Sequence, residues 1–466
     1  MKKILIANRG AAAERIQRAA RALGLDAVIV YSEADKDLPY VREAEESYCI
    51  GPAPALQSYL NQDVLLETMR RSGADALHPG YGFLSENPAF ARTVEAAGHC
   101  FIGPSPHWIE RLGDKAAARA LMQEHGLRAG GSSEVLPPDD MAAVAAAAES
   151  LGYPVLIKPA KGGGGIGMVP VHEAGQLKDA WKQAANIAGR AFSDASLYLE
   201  RYIQSPRHVE FQFLADRHGN VMSLFERDCS TQRRYQKVIE EAPAPNIPRQ
   251  EVERMAEQLR GILARVGYDV IGTVEMLYGA ETGFAFLEVN TRLQVEHAVT
   301  EAVTGVDLVC AQIRLAAGEP LRDVLAQRPE IRGHAVEARI YAENPATFLP
   351  SPGVLSAFEL GGQHPDVRVE TGYGPGCRVS SHYDPMVAKV IVHGPTREAA
   401  TARLADVLGA ARIEGIKTNI PAILQVLRSD VFAGGEMTVD GMSALISGGR
   451  SDRGADDSQN ANRRTA

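Results

Sequence analysis

Six consecutive residues constrain this chain more than any other stretch: Gly162-Gly163-Gly164-Gly165-Ile166-Gly167. They lie between Tyr153-Pro-Val-Leu-Ile-Lys158 and Met168-Val169-Pro170-Val171, two short apolar runs that read as strands. Glycine lets a backbone turn tightly and bring several N–H groups to an anion with no Cβ in the way. Ordering so many glycines is entropically costly, so a loop of this kind needs a reason. The spacing satisfies Gly-x-Gly-x-x-Gly, but the dinucleotide fingerprint needs a helix to begin in the loop and face its N-terminus to a pyrophosphate. Here a second strand follows. No Gly-Lys-Ser/Thr ends the run, which excludes the Walker loop. The pattern predicts a glycine-rich flap between two strands, closing over phosphates; a plain flexible turn is the competing reading.

Around this loop the chain reads as α/β. Ile4-Leu5-Ile6-Ala7, an Ala/Arg-rich helix ending at Gly24, and Asp26-Ala-Val-Ile-Val-Tyr31 give a β-loop-α-β order, which predicts a parallel sheet covered by helices. Short strands follow at Gly73–Leu77 and His99–Gly103. We expect an N-terminal parallel-sheet domain over 1–113, a central domain over 114–318 closed by Gly318-Glu-Pro320, and a C-terminal β-rich α+β domain over 331–447. The polar, aperiodic stretch 448–466 is expected to be a disordered tail. The 466 residues suit about three domains at ~150 residues each. A net charge of −9 argues against a nucleic-acid footprint. Five scattered cysteines without Cys-x-x-Cys support neither a disulfide framework nor a zinc site, and fit the cytoplasm. The first apolar run is too short for a signal peptide, and no segment approaches the ~18 apolar residues of a membrane span.

A second feature is Glu288-Val-Asn-Thr-Arg-Leu-Gln-Val-Glu296. If extended, it projects Glu288, Asn290, Arg292, Gln294 and Glu296 from one face. A solvated strand face is the bland alternative, but such faces usually carry Lys, Thr and Ser. Eight extended steps would span roughly 26 Å at ~3.3 Å each, too far for one reaction centre. The strand is therefore expected to bend near Arg292. Lys158 ends an apolar run, where a buried ammonium wants an anionic partner.

Taken in order, the motifs resemble those of ATP-grasp enzymes of the biotin carboxylase family. They are Ile6-Ala-Asn-Arg-Gly10, His78-Pro-Gly-Tyr-Gly-Phe-Leu-Ser-Glu-Asn87, Gly113-Asp-Lys115, the tetraglycine run and Pro206-Arg-His-Val-Glu210. Glu226-Arg-Asp-Cys-Ser230, Gln232–Pro243, the alternating segment and Gly333-His-Ala-Val-Glu-Ala-Arg339 complete the set over about residues 1–446. The resemblance implies a pre-ATP-grasp domain, an ATP-grasp domain with its flap, and a family C-terminal domain. It implies that ATP phosphorylates bicarbonate to carboxyphosphate, which delivers CO₂ to N1 of biotin on a carrier protein, the first half-reaction of an acyl-CoA or related carboxylase. By residue, it implies that Lys115, Lys158, Gly163, Gly164, Gly165, Met168, Glu200, Ile203, His208, Gln232, Tyr235, Glu275 and Glu288 bind ATP. Glu275, Glu288 and Asn290 would hold Mg²⁺ or Mn²⁺. Arg292, Gln294 and the Val295 backbone would hold bicarbonate, with Glu296 as its base. Lys237 would bridge the transferring phosphoryl group, and Arg339 would bind biotin and stabilise charge on its ureido oxygen. The implied partners are a biotin carboxyl carrier protein, carboxyltransferase subunits and a second copy in a homodimer.

Five positions depart from the family pattern. Ile166 stands where a basic residue is common, Tyr235 where histidine is common, Ala298 where proline is usual, and Ala11-Ala12 replaces Glu-Ile. These put nucleotide affinity and subfamily in question without removing a base, a metal ligand or a bicarbonate contact. No Ala-Met-Lys-Met sequence for biotin attachment occurs, so the chain is expected to act as a free-standing subunit. Taken singly, Glu275 could be a surface carboxylate, His208 an interior histidine, Arg233-Arg234 a structural ion-pair cluster, and Cys229 inert packing. The competing functions are another ATP-grasp ligase joining a carboxylate to an amine, and a non-catalytic regulatory paralogue.

Overall fold

The computed structural model describes residues 1–127, 131–160, 167–192, 194–361 and 364–447. Gly162, Gly163, Gly164, Gly165 and Ile166 of the glycine run, and the expected tail 448–466, lie outside the described residues. The first sheet holds β1 (Lys3–Ile6), β2 (Asp26–Tyr31), β3 (Glu46–Cys49), β4 (Ala76–His78) and β5 (Cys100–Phe101), all parallel in the order β3-β2-β1-β4-β5. The expected parallel sheet is therefore present. Its strands read as apolar runs because helices cover both faces. Helix Gly10–Ala22 buries Ala12, Ala13, Ile16, Ala19 and Ala20 at helical spacing against it. The edge strand β3, only half-buried, carries no apolar run and was not anticipated.

Beyond it, β6 (Val155–Pro159), β7 (Val169–Val171) and β8 (Leu197–Arg201) form a small sheet in the order β7-β6-β8. The two strands that flank the glycine run pair antiparallel, so the run joins strand to strand. Helix Leu177–Phe192 covers this sheet, and its Trp181 is 2% exposed among Val155, Ile157, Val171 and Leu199.

The largest sheet draws on β9 (Arg207–Ala215), β10 (Val221–Arg233), β11 (Gln236–Ala242), β12 (Val270–Gly279), β13 (Gly283–Asn290) and β14 (His334–Tyr341). After β14 come β15 (Gly353–Val354), β16 (Ala357–Glu359), β17 (Val367–Glu370), β18 (Arg378–Val379), β19 (Met386–Gly394) and β20 (Arg412–Glu414). Eight of these make one antiparallel sheet, β13-β12-β9-β10-β11-β14-β19-β17, while β15 pairs with β18 and β16 with β20. The sheet thus passes from the central region into the C-terminal one through the β11–β14 ladder. Gly318 (φ +94°) ends helix Leu308–Ala316, and a short helix, Leu321–Val324, occupies the connector. No helix among the described residues is long and apolar enough to cross a membrane.

The N-terminal sheet meets the C-terminal region backbone against backbone. A Cβ on Gly372, just after β17, would stand 2.5 Å from Gly10 Cα and 2.6 Å from its carbonyl carbon. Arg9 completes the seam, pairing with Asp35 at 2.7 Å and donating to the Tyr373 hydroxyl at 3.0 Å. Gly372→Ala is expected to lower the urea-unfolding free energy by about 1–3 kcal/mol, because the contact cannot yield without parting the two regions. At Gly374 a Cβ would meet Pro39 Cγ at an ordinary 3.5 Å, so Gly374→Ala serves as the silent control.

Candidate active site

A cavity of about 470 Å³ lies between the small sheet and the eight-stranded one. Every predicted site residue that the structure describes lines it. Its floor is built from strand alternation. On β9, His208 and Glu210 are two residues apart and share a face. On β12 and β13, Glu275 and Glu288 are direct cross-strand partners, as are Thr273 and Asn290. β13 ends at Asn290 and helix His297–Thr304 begins beyond Glu296, so the alternating segment bends where its extended length required.

At the centre stands Lys237. Its ammonium donates to Glu210 Oε2 at 2.6 Å, Glu275 Oε1 at 2.8 Å and Glu296 Oε1 at 2.6 Å. Burial favours the neutral amine, but the three carboxylates outweigh it and hold the Lys237 pKa well above its ordinary value. Glu296 is fully buried. Burial pushes its carboxyl up, yet Lys237, Arg339 and Arg227 more than reverse this and keep it well below the usual carboxylate range. Arg339 Nη2 donates to Glu296 Oε2 at 2.9 Å. Arg227, also fully buried, reaches Glu210 at 2.5 Å and Thr300 at 2.9 Å. Cys229 Sγ lies 3.8 Å from Glu296 Oε1, and burial pushes the thiol up, as expected of a packing cysteine.

The second guanidinium of the site is splayed over its own segment. Arg292 donates to Asn290 Oδ1 at 3.0 Å, to Gln294 Oε1 at 3.0 Å and to Glu86 Oε2 at 2.9 Å. Gln294 Nε2 is buried with no hydrogen-bond partner among the described residues, a donor free for an anion. The Val295 carbonyl accepts from the buried Lys389 ammonium at 2.5 Å.

Toward the small sheet, Lys158 pairs with Glu200 at 2.5 Å, and Arg119 pairs with the same carboxylate. Lys115 pairs with Glu288 at 2.8 Å. His208 Nε2 stands 3.0 Å from Glu275 Oε2, and its Nδ1 meets Gln232 Nε2 at 2.8 Å. His208 and Glu275 are therefore both buried and cavity-lining. Leu156, Met168, Ile203, Leu277 and Leu287 give this part apolar walls, and Tyr235 sits half-exposed at the rim. Arg233 is structural: it pairs with Glu343 at 2.7 Å and lies over the Phe348 ring.

Sequence reasoning assigned no role to Glu210, Arg227, Arg119 or Glu86. Two had a signal. Glu210 alternates with His208 on one strand, and Arg119 lies four residues from Lys115 on helix Lys115–Glu124. Arg227 and Glu86 had none: Arg227 faces Glu210 across the β9–β10 ladder and reaches Thr300 on a helix, and Glu86 meets Arg292 beyond the end of β13.

Comparison with known proteins agrees with this geometry. Family models match in order along the chain: biotin carboxylase, N-terminal domain, over residues 1–109; carbamoyl-phosphate synthase L chain, ATP binding domain, over 114–324; and biotin carboxylase C-terminal domain over 337–443. The biotin carboxylase of Allochromatium vinosum is 46% identical over 447 residues, covering 96% of this chain and 99% of that protein. Biotin carboxylase 2 of Bacillus subtilis is 46% identical over 440 residues, covering 94% of this chain and 98% of that protein. Among solved structures, the biotin carboxylase domain dimer of Hydrogenobacter thermophilus 2-oxoglutarate carboxylase, in complex with MgADP, ADP and bicarbonate, matches with a TM-score of 0.88 at 38% identity. That match covers 96% of this chain and 98% of the other. The chain belongs to the biotin carboxylase family.

Proposed function

We propose that the chain is the ATP-dependent biotin carboxylase of a biotin-dependent carboxylase, using bicarbonate and ATP to carboxylate biotin on a carrier protein. The observation that carries this reading is the placement of a buried carboxylate, Glu296, between Lys237 and Arg339, with Arg292 and Lys158 lining the same cavity. Arg339 on Glu296, together with the Arg292–Gln294 run, favours bicarbonate and biotin over a carboxylate-amine ligase. The family match points the same way.

In the first stage, a bicarbonate oxygen attacks the γ-phosphoryl group of ATP, ADP leaves, and carboxyphosphate forms. Glu296 takes the bicarbonate proton, which its ionised state permits. Arg292 and the unpartnered Gln294 amide hold the anion, a guanidinium fork matching a planar carboxylate-like group. Lys237, Lys115 and Lys158 neutralise phosphoryl oxygens, each exchanging a carboxylate partner for the nucleotide. The apolar walls near Ile203 and Leu277 receive the base. In the second stage carboxyphosphate breaks into CO₂ and phosphate, the phosphate takes the proton from biotin N1, and N1 attacks the CO₂. Arg339 stabilises the negative charge on the ureido oxygen.

A divalent cation fits this donor set. Glu275 and Glu288 are like charges directly opposed on adjacent strands, an arrangement that repels unless a cation stands between or beside them. Asn290 adds a neutral oxygen on the same strand as Glu288, and few hard oxygen ligands suit Mg²⁺ or Mn²⁺. His208, Glu210 and Glu275 also offer ligand atoms within 4.8 Å of one another, so Glu275 is shared between neighbours. When bound, the ion would neutralise triphosphate charge.

The partners in this reading are a biotinylated carrier, carboxyltransferase subunits and a second copy of the chain in a homodimer. A reducing cytoplasm suits the five free thiols. The carboxyltransferase chooses the final acceptor, whether acetyl-CoA, another acyl-CoA or a urea-like amide.

ATP cleavage by the purified chain with Mg²⁺ is expected to require bicarbonate and to rise with free biotin; turnover indifferent to both would remove the assignment. Glu296→Ala should cut biotin-dependent turnover by about 100-fold or more while ATP still binds, measured by calorimetry beside the kinetics. Loss of ATP binding in that variant would mean that Glu296 only supports the fold. Mass spectrometry of proteins co-purified from the source cells is expected to identify a biotinylated carrier.

A further inference from the structure

Beside Arg339 lie two acids that the proposed reaction does not use. Glu240 on β11 and Glu337 on β14 are direct cross-strand partners, 1% and 0% exposed. Among the described residues, all four of their carboxyl oxygens are buried without a hydrogen bond. Glu240 Oε1 lies 2.5 Å from Arg339 Nε, an ion pair without an aligned hydrogen, while Arg339 Nη2 serves Glu296. Glu337 has only Lys389, at 3.7 Å, and that ammonium is held closer by Glu370 at 2.7 Å. Helix His297–Thr304 covers this face with Ala298 and Val299, so water does not solvate it. The other titratable groups facing the pair are Lys237 on β11, Cys229 on β10, Tyr341 on β14 and Tyr81 from the loop after β4.

Two ionised carboxylates directly opposed in a dry interior repel and lack donors; one proton held between them removes both costs. Burial raises both groups above the usual carboxylate value, with Arg339 opposing it at Glu240 and Lys389 at Glu337. We propose that Glu240 and Glu337 form an acid pair sharing one proton, and that Glu240 is a positioning residue that pins the Arg339 guanidinium opposite Glu296. This rests on the reading of Arg339 as the group that meets biotin. A fully ionised Glu240 beside an ionised Glu296 would cancel the charge of Arg339. A fully neutral one would leave the guanidinium unheld. The half-neutralised pair does neither.

The test combines kinetics with infrared spectroscopy on the full chain. Glu240→Gln is expected to raise the KM for free biotin about 10- to 100-fold, with the KM for ATP and biotin-independent ATP cleavage at wild-type values. At neutral pH the wild type should show a protonated-carboxyl C=O band that is absent from both Glu240→Gln and Glu337→Gln. No such difference band would overturn the shared proton, and this arm needs only the wild type and Glu337→Gln if Glu240→Gln fails to fold. An unchanged biotin KM in Glu240→Gln, where Arg339→Gln raises it, would overturn the positioning role. If Arg339→Gln leaves biotin dependence unchanged, the biotin reading of Arg339 falls first, and the positioning role with it.

Discussion

One ammonium group makes the rest of this site possible. Lys237 has three N–H donors and meets three carboxylates, one from β9, one from β12 and one from the turn after β13. Without it, Glu210, Glu275 and Glu296 would crowd together at the buried end of a cavity with too few donors. Buried acids tolerate such crowding only when paired and hydrogen-bonded. Lys237 also ties β11 to strands that are not its neighbours in the sheet.

The same rule extends outward as an alternation of acids and bases. Glu210 is shared by Lys237 and Arg227, Glu296 by Lys237 and Arg339, and Glu370 by Lys389 and Arg368. Arg368 pairs with Glu301, which also receives Arg15 from the N-terminal helix. Buried ion pairs of this kind add less net stability than their contact distances suggest, because desolvation offsets most of the attraction. What they add is geometric: each guanidinium or ammonium has one arrangement that satisfies both partners. An active site that must hold an anionic nucleotide beside a bicarbonate anion gains from that fixity.

Much of this was legible in the sequence, for identifiable reasons. The alternation from Glu288 to Glu296 put five polar groups on one side, and its length alone required the bend found after Asn290. The β-glycine-β order argued against the dinucleotide loop, the missing Gly-Lys-Ser/Thr against the Walker loop, and β6 and β7 do pair with each other. The half-buried edge strand β3 escaped because it carries no apolar run. The partners of the site residues were harder still. Arg227 and Glu240 sit in motifs that were recognised, but their roles depend on which strands lie side by side, and the β11–β14 pairing joins residues about a hundred positions apart. Periodicity within one segment carries no trace of that.

The pairing of β11 with β14 also bears on how such a protein can change over time. Glu296 and Arg339 are 43 residues apart and lie on either side of the connector, yet their side chains touch across a continuous sheet. A recombination point between them would bare the edge of β11, an open template for association with other chains. The strands that carry Glu210, Glu275 and Lys237 and the strand that carries Arg339 therefore stand or fall as one piece, and variation is more readily absorbed at the surface than across this ladder.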